Sequence, residues 1–453
     1  MSGGLPALSR TQPYGKTASW KNDTHVAIMD SDMGVVLWGD ALARLRGLAG
    51  NRQFLLLTAA QFCSNVGDWL FSLALFVLIG LRWHGSPLAV GFALVCNLLP
   101  AMLLGPVAGA LADRAPRRSL MLLSNVLCAL LLLALTAAGA LWQIDALLAA
   151  LGAAETLFSP AESGMLKDAV PDAEMDQAVA VRTAVAQGTK ILGPALGGLL
   201  VALLGALAPF YVDAASFALA AVLTLFLRAG RVDVEGGQAQ RPQDAQPFLQ
   251  SAAEGLRRIA KSPLLRGLVG LYVLILFAVN LVDSQMIVLL RGQASAAAIL
   301  GLSMTASGGG MAGAATLFLQ RRRGLRAAPL GALSMGAGIA IAALAVAAGL
   351  PLVVPWAFLL FGVGAAFAFI PLQGALRRQV PPEWTGRVMG SVRSAAGVAV
   401  VAGPLLGGVL SEGMGAVREF LVAAALLLAV GAGALVLRYG REGEAVAEGV
   451  DGA

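Results

Sequence analysis

Four polar residues interrupt the apolar run from Gln53 to Gly80: Gln61, Asn65, Asp68 and Ser72. Steps of four, three and four place them on one helical face. If the run crosses a bilayer, an ionised aspartate at its centre costs roughly 2.5–3.5 kcal/mol on insertion scales. Asp68 must then face a polar cavity, meet a cation or hold a proton. A carboxylate withdrawn from water is suited to taking up and releasing a proton along a substrate pathway. The expectation is that Asp68 faces a cavity between two halves of the protein. A shorter stripe, Asn280, Asp283 and Ser284, interrupts a later apolar run. Lys190 lies at mid-depth in another, and depth alone makes it the partner of Asp68. A proton on Asp68 would release Lys190, and a cationic substrate could compete with either. Arg182 and Asp213 lie nearer the ends of their runs, where side chains reach the interface.

The elements that position these residues follow from composition. The chain has 453 residues, 58% hydrophobic and 13% charged, whereas soluble domains are about 25% charged. Its apolar residues fall in blocks of about 20 or more, the length of a membrane-crossing helix. The reading is an all-α integral membrane protein with twelve transmembrane helices. They cover roughly 53–81, 88–111, 119–141, 144–166, 178–203, 207–228, 265–290, 294–319, 327–349, 352–375, 385–410 and 417–438. Tails occupy 1–52 and 439–453, and VVLWGDALARLRGL at 35–48 has the pattern of an amphipathic surface helix. Residues 229–264, with EGGQAQRPQDAQP, read as a flexible linker between two six-span halves.

Basic residues set the orientation. With the N-terminus in the cytoplasm, the short inner loops hold Arg114, Arg117, Arg118, Lys167, Arg321, Arg322, Arg323, Arg326, Arg377, Arg378 and Arg387. The outer loops hold Arg82, Arg291 and Arg418. Both termini and the linker are therefore expected in the cytoplasm. Topology thus accounts for the net charge of +6 without a nucleic-acid partner. Cys63, Cys96 and Cys128 lie inside spans at no metal-like spacing, and His25 and His84 are isolated. No metal is expected.

The halves repeat. LKDAVPDAEMDQAVAVRTAVAQGTKILGPALGG at 166–198 aligns with LRRQVPPEWTGRVMGSVRSAAGVAVVAGPLLGG at 376–408, an offset of 210. Gly193, Pro194, Gly197 and Gly198 then meet Gly403, Pro404, Gly407 and Gly408. Proline removes a backbone donor and kinks or breaks a helix, and glycines four apart let a neighbour pack closely. Parallel six-span repeats build one large class of secondary transporters. NVGD at 65–68 also pairs with NLVD at 280–283, at an offset of 215.

GALADRAPRR at 109–118 resembles the loop signature of the major facilitator superfamily. Gly109, Leu111, Asp113, Arg114, Arg117 and Arg118 match it, and Pro116 replaces its second glycine. The corresponding loop of the second half, LQRRRGLR, keeps the basic residues without the aspartate. The resemblance implies the major facilitator fold of two pseudo-symmetric halves, and a cytoplasmic gate. In that gate Gly109 permits close helix approach and Asp113 accepts hydrogen bonds from the start of the eleventh span, where the dipole favours an anion. Arg387 stands there, and Arg393 belongs to the same gate. GTKILGPALGG resembles the Gly-Pro motif of the antiporter branch. From NVGDWL to GPALGG the chain resembles bacterial exporters of the enterobactin-exporter and macrolide-efflux type, over about residues 52–440. Glu162 departs from that type, which carries arginine or a small residue there, and Ala180 stands near a frequent asparagine.

The resulting expectation is a proton-coupled exporter of an amphipathic small molecule such as an antibiotic or siderophore. It would act by alternating access in the bacterial inner membrane, as a monomer with no cofactor beyond the proton gradient. An importer or lipid flippase on the same fold is the alternative. A sugar or organic-anion importer should show more polar or paired cationic residues in its spans. A sensor or scaffold lacks a folded soluble domain here, and an enzyme lacks a nucleophile–base pair or phosphate loop. The chain shows no nucleotide-binding motif for drive by ATP.

Overall fold

The computed structural model describes residues 47–228, 248–293, 295–321, 324–381 and 384–436. The chain divides into Met1–Gly47, outside those residues except for its last member, and Leu48–Ala453. The surface helix expected over 35–48, apart from its final two residues, the linker segment 229–247 and the tail 439–453 also lie outside the described residues.

The first six long helices are α1 (Arg52–Val77), α2 (Pro87–Ala112), α3 (Arg117–Thr136), α4 (Leu141–Ala169), α5 (Met175–Leu204) and α6 (Ala208–Leu225). Their starts follow ordinary capping chemistry. Asn51 Oδ1 accepts the free N–H groups of Gln53 and Phe54 at 3.1 and 3.2 Å. Ser86 caps α2, whose first residue is Pro87. The α1 cylinder continues through one π-turn, Leu78–Arg82.

The linker is not wholly flexible. Phe248–Lys261 forms α7, a helix that packs against a later span. The second half follows as α8 (Pro263–Asp283), α9 (Ala296–Arg321), α10 (Ala327–Ala347), α11 (Val354–Arg378), α12 (Thr385–Met414) and α13 (Ala416–Val436). The seventh span is shorter than its apolar run: α8 stops at Asp283, and a separate helical turn, Met286–Leu289, follows. Among the described residues, eleven helices are long and apolar enough to cross a membrane. The remaining long one, α9, has 26 residues. Among the described residues there are no strands. Large apolar side chains such as Leu103, Leu203 and Trp356 are exposed on the outside, where lipid rather than water is their solvent.

The twofold repeat governs packing. Each major neighbour pair of the first half recurs in the second: α1 with α5 as α8 with α12, α2 with α4 as α9 with α11, α3 with α6 as α10 with α13. The halves meet along α5–α9 and α2–α12, again a symmetric pair. Even the stops repeat, since α5 and α12 both end at a glycine with φ near +87°, Gly205 and Gly415. Only a residue without Cβ enters that region cheaply.

The Gly-Pro positions do not break their helices: α5 and α12 run through Pro194 and Pro404. Their glycines are contact points instead. A methyl on Gly193 would lie 2.4 Å from Trp69 Cβ, and one on Gly403 2.5 Å from Asn280 Cβ. Gly197 packs on Leu70 and Gly407 on Leu281, while Gly198 packs on α9 at Gly301 and Gly408 on α2 at Leu88. Trp69 is thus the counterpart of Asn280, an offset of 211. The NVGD–NLVD pairing at 215 is therefore a register error. Asp283 corresponds to Ser72, and Asp68 has no acidic counterpart.

Candidate functional site

Asp68 looks into the first half rather than into the space between the halves. It borders a cavity of 180 Å³ lined by Gln61, Ser64, Asn65 and Asp68 of α1, Ser124 of α3, Glu155, Phe158, Ser159 and Glu162 of α4, and Phe217 of α6. A second acid on α4 and a third on α6 join it. Asp68, Glu155 and Asp213 lie close enough to act on one another electrostatically. Asp213 does not reach an interface; it is 1% exposed. Its Oδ1 sits over Gly67, where a methyl would come within 2.0 Å, and accepts from Ser216 Oγ at 3.1 Å. Gly67 is what lets α6 deliver this carboxylate beside Asp68.

At the next turn of α1 the cavity ends in an ion pair. Arg182 of α5 does not snorkel either: it is buried, donates Nε–H to Gln61 Oε1 at 2.7 Å and pairs with Glu162. Glu162, the departure from the exporter pattern, is therefore the counter-ion of Arg182. Asn65 lines the cavity beside them.

Lys190 is not paired with Asp68. Its ammonium lies 5.7 Å from the centroid of Trp69, a cation–π distance. It lies within electrostatic reach of Asp283, on the other half. Both side chains are exposed although they lie deep in the protein, so they border the open space between the halves. Asn280 turns back on its own helix, donating to Leu276 O at 2.8 Å. The three charged residues expected at mid-membrane thus separate into an inner acidic chamber (Asp68) and a cleft pair (Lys190, Asp283).

The two ends of the molecule differ. At the end carrying the α1–α2 connection, the halves are tied together. Arg291 donates to Gly80 O at 3.0 Å and also to Gly85 O. Gln285 Nε2 donates to Pro87 O at 3.0 Å, and Glu412 accepts from Leu88 N–H at 3.3 Å, capping α2 from the opposite half. Burial lowers the pKa of Arg291, and its two carbonyl acceptors offset that cost. These four hydrogen bonds join the halves at this end.

Residues 57–404 match the family model of the Major Facilitator Superfamily. The chain belongs to that superfamily. The uncharacterized MFS-type transporter YfiS of Bacillus subtilis strain 168 is 37% identical over 83% of this chain and 90% of its own length. The multidrug efflux pump Tap of Mycolicibacterium fortuitum is 27% identical over 86% of this chain and 96% of its own. Among solved structures, a POT family transporter in complex with 5-aminolevulinic acid superposes with a TM-score of 0.66 at 13% identity, covering 85% and 96% of the two chains. The molecule is a multi-pass membrane transporter of this superfamily.

The superfamily's loop signature is not engaged in this conformation. Gly109 has no neighbour within 4 Å of where a Cβ would stand. Asp113 caps the end of α2, is exposed, and does not meet α12. Arg114 is exposed as well. Arg117 and Arg118 work within the first half: Arg117 pairs with Asp168 at 2.6 Å and donates to Gly164 O, and Arg118 donates to Leu225 O at 2.6 Å. Arg387 pairs with Glu254 of α7 at 2.6 Å and lies 5.2 Å from the centroid of Trp384. Arg393 lines a cavity of the second half instead of meeting Asp113. Sequence reading missed Glu155, the role of Arg291, and the Glu254 contact. A lone acid inside an apolar run, the signal that marked Asp68, also marks Glu155.

Proposed function

We propose that this transporter exports amphipathic small molecules across the bacterial inner membrane in exchange for protons. The observation that carries the reading is the grouping inside the membrane-spanning bundle of Asp68 and Glu155 on one cavity, with Asp213 seated beside them over Gly67. Carboxylates grouped in one enclosed space exchange protons as a unit, and a change in their solvation can move one on or off the group. Lys190 and Asp283 on the walls of the cleft are the groups that meet the substrate. The positive-inside bias puts the open end, with Asp113 and Arg387, in the cytoplasm. Substrate then enters from the cytoplasm, and opening of the Arg291 end releases it outside. The multidrug pump Tap among the relatives supports a broad apolar substrate class.

Everted vesicles test this. Respiration acidifies them, and a dye follows the pH gradient while lipophilic antibiotics and siderophores are added singly. Substrate-triggered collapse of the gradient is expected for the wild type and is absent in Asp68→Asn. Collapse that persists in Asp68→Asn and Glu155→Gln alike removes proton coupling from the chamber. A compound that accumulates inward in cells establishes import instead.

A further inference from the structure

The second half holds a cavity of 610 Å³ between α8, α11 and α12. Its polar lining is Tyr272, Gln373, Arg377 and Arg393, with Met389 and Val392 among its apolar walls. Among the described residues no acid borders it. The repeat shows how the two halves differ at this place. At the offset of 211 fixed by the α1 and α8 contacts, Tyr272 stands where Gln61 stands in the first half. There, Gln61 and Glu162 neutralise the buried Arg182. At the offset of 210 the position of Glu162 is taken by Leu372. At the same offset Arg182 is replaced by Val392, so the second half lacks both members of that pair, and its two guanidinium groups come from positions that match Lys167 and Thr183. Neither forms an ion pair among the described residues. Gly397, one residue beyond its lining residue Ala396, meets Met102 of α2 on the other half.

We propose that this cavity is an anion subsite, which takes the carboxylate, sulfonate or phosphate head of an amphipathic organic anion. Arg377 and Arg393 supply the charge and a forked donor geometry suited to such heads. Tyr272 and Gln373 add hydrogen bonds, and Met389 and Val392 receive the apolar body next to the head. The inference deepens the export reading and rests on it for the cleft as substrate route. It narrows the substrate class from amphipathic molecules to those with an acidic group. The head could belong to a soluble substrate or to an anionic lipid.

The test uses the purified full chain in nanodiscs of phosphatidylcholine and three probes that share one apolar body: dansylglycine (anionic), dansylamide (neutral) and dansylcadaverine (cationic). Fluorescence titration should give at least about tenfold tighter binding of the anion. Arg393→Gln and Arg377→Gln should each weaken that binding about tenfold, and Arg393→Lys should retain most of it. Arg378→Gln, which removes a neighbouring charge outside the cavity, should leave it unchanged. Equal binding of the three probes, or indifference to both glutamine variants, overturns the proposal. Nanodiscs with added phosphatidylglycerol separate the sources: competition assigns the site to a lipid head, and unaltered binding assigns it to a soluble anion. The titration uses the wild-type proton chamber and no pH gradient, so failure of proton exchange and failure of this subsite are read independently.

Discussion

Arg182 is enclosed with both of its acceptors fixed, which makes it a stringent test of the chamber. Removing one partner of a buried pair leaves the other charge desolvated and costs about 3–5 kcal/mol, whereas replacing both with apolar side chains is often neutral. Glu162→Leu should therefore lower thermal stability sharply, and Glu162→Leu with Arg182→Met should recover most of the loss. Unfolding of the purified variants, followed by differential scanning fluorimetry of the native cysteines, checks this. A double variant no more stable than Glu162→Leu would show that the pair contributes packing rather than charge compensation. The same residues mark the limit of what sequence reveals. Depth along a helix can be counted, so Asp68, Lys190 and Asp283 were all legible as membrane-embedded charges. Azimuth between helices cannot be counted. Lys190 and Asp68 share a depth, but Trp69 and the close seat of Gly193 turn Lys190 toward Asp283. Arg182 and Asp213 lie near span ends yet face inward, because Glu162 and Gly67 await them there.

At the scale of elements, the repeat is written in glycines that admit a neighbouring backbone. A methyl on Gly301 would lie 2.6 Å from Pro194 O, and one on Gly91 2.2 Å from Pro404 O, positions 210 apart. These are the seams through which α5 meets α9 and α2 meets α12. Gly301→Leu and Gly91→Leu should each destabilise the folded transporter, by about 1–3 kcal/mol or more for overpacking. Gly109→Leu, with open space around it, should leave stability unchanged in this conformation. Melting temperatures and yields of monodisperse protein separate the two outcomes. If Gly109→Leu folds normally but stops transport, the residue acts in the conformation where the loop signature closes. The spans and the 210-residue repeat were legible because apolar length and the spaced Gly-Pro pattern are local. The end of α8 at Asp283 was not, since Met286–Leu289 continues the apolar run after the helix has stopped. The pairing of NVGD with NLVD failed for a related reason: four matching letters are fewer constraints than two helices in contact.

For the whole molecule, the decisive asymmetry is where the halves share a core. One apolar cluster includes Phe71–Ile79 of the first half together with Ile275–Leu290 and Ala296–Leu300 of the second. Another, around Phe54, Leu57, Met121 and Met165, is built from the first half alone. The halves are thus fused at the Arg291 end and independent at the Asp113 end. Alternating access requires the reverse arrangement at comparable free energy, so the polar ties at the fused end set the balance between the two states. Removing two of them with Arg291→Ala and Glu412→Ala should shift the population toward closure at the Asp113 end. Two single-cysteine reporters read this, each placed after Cys63, Cys96 and Cys128 are replaced by alanine. Ala396→Cys, beside the open cavity, should react severalfold more slowly with a maleimide once the ties are removed. Ile287→Cys, 1% exposed against Gly80, should react faster. Opposite changes at the two reporters are the signature of one rigid-body equilibrium. Faster labelling at both would mean that the ties hold the fold together, and that the conformational balance is set elsewhere.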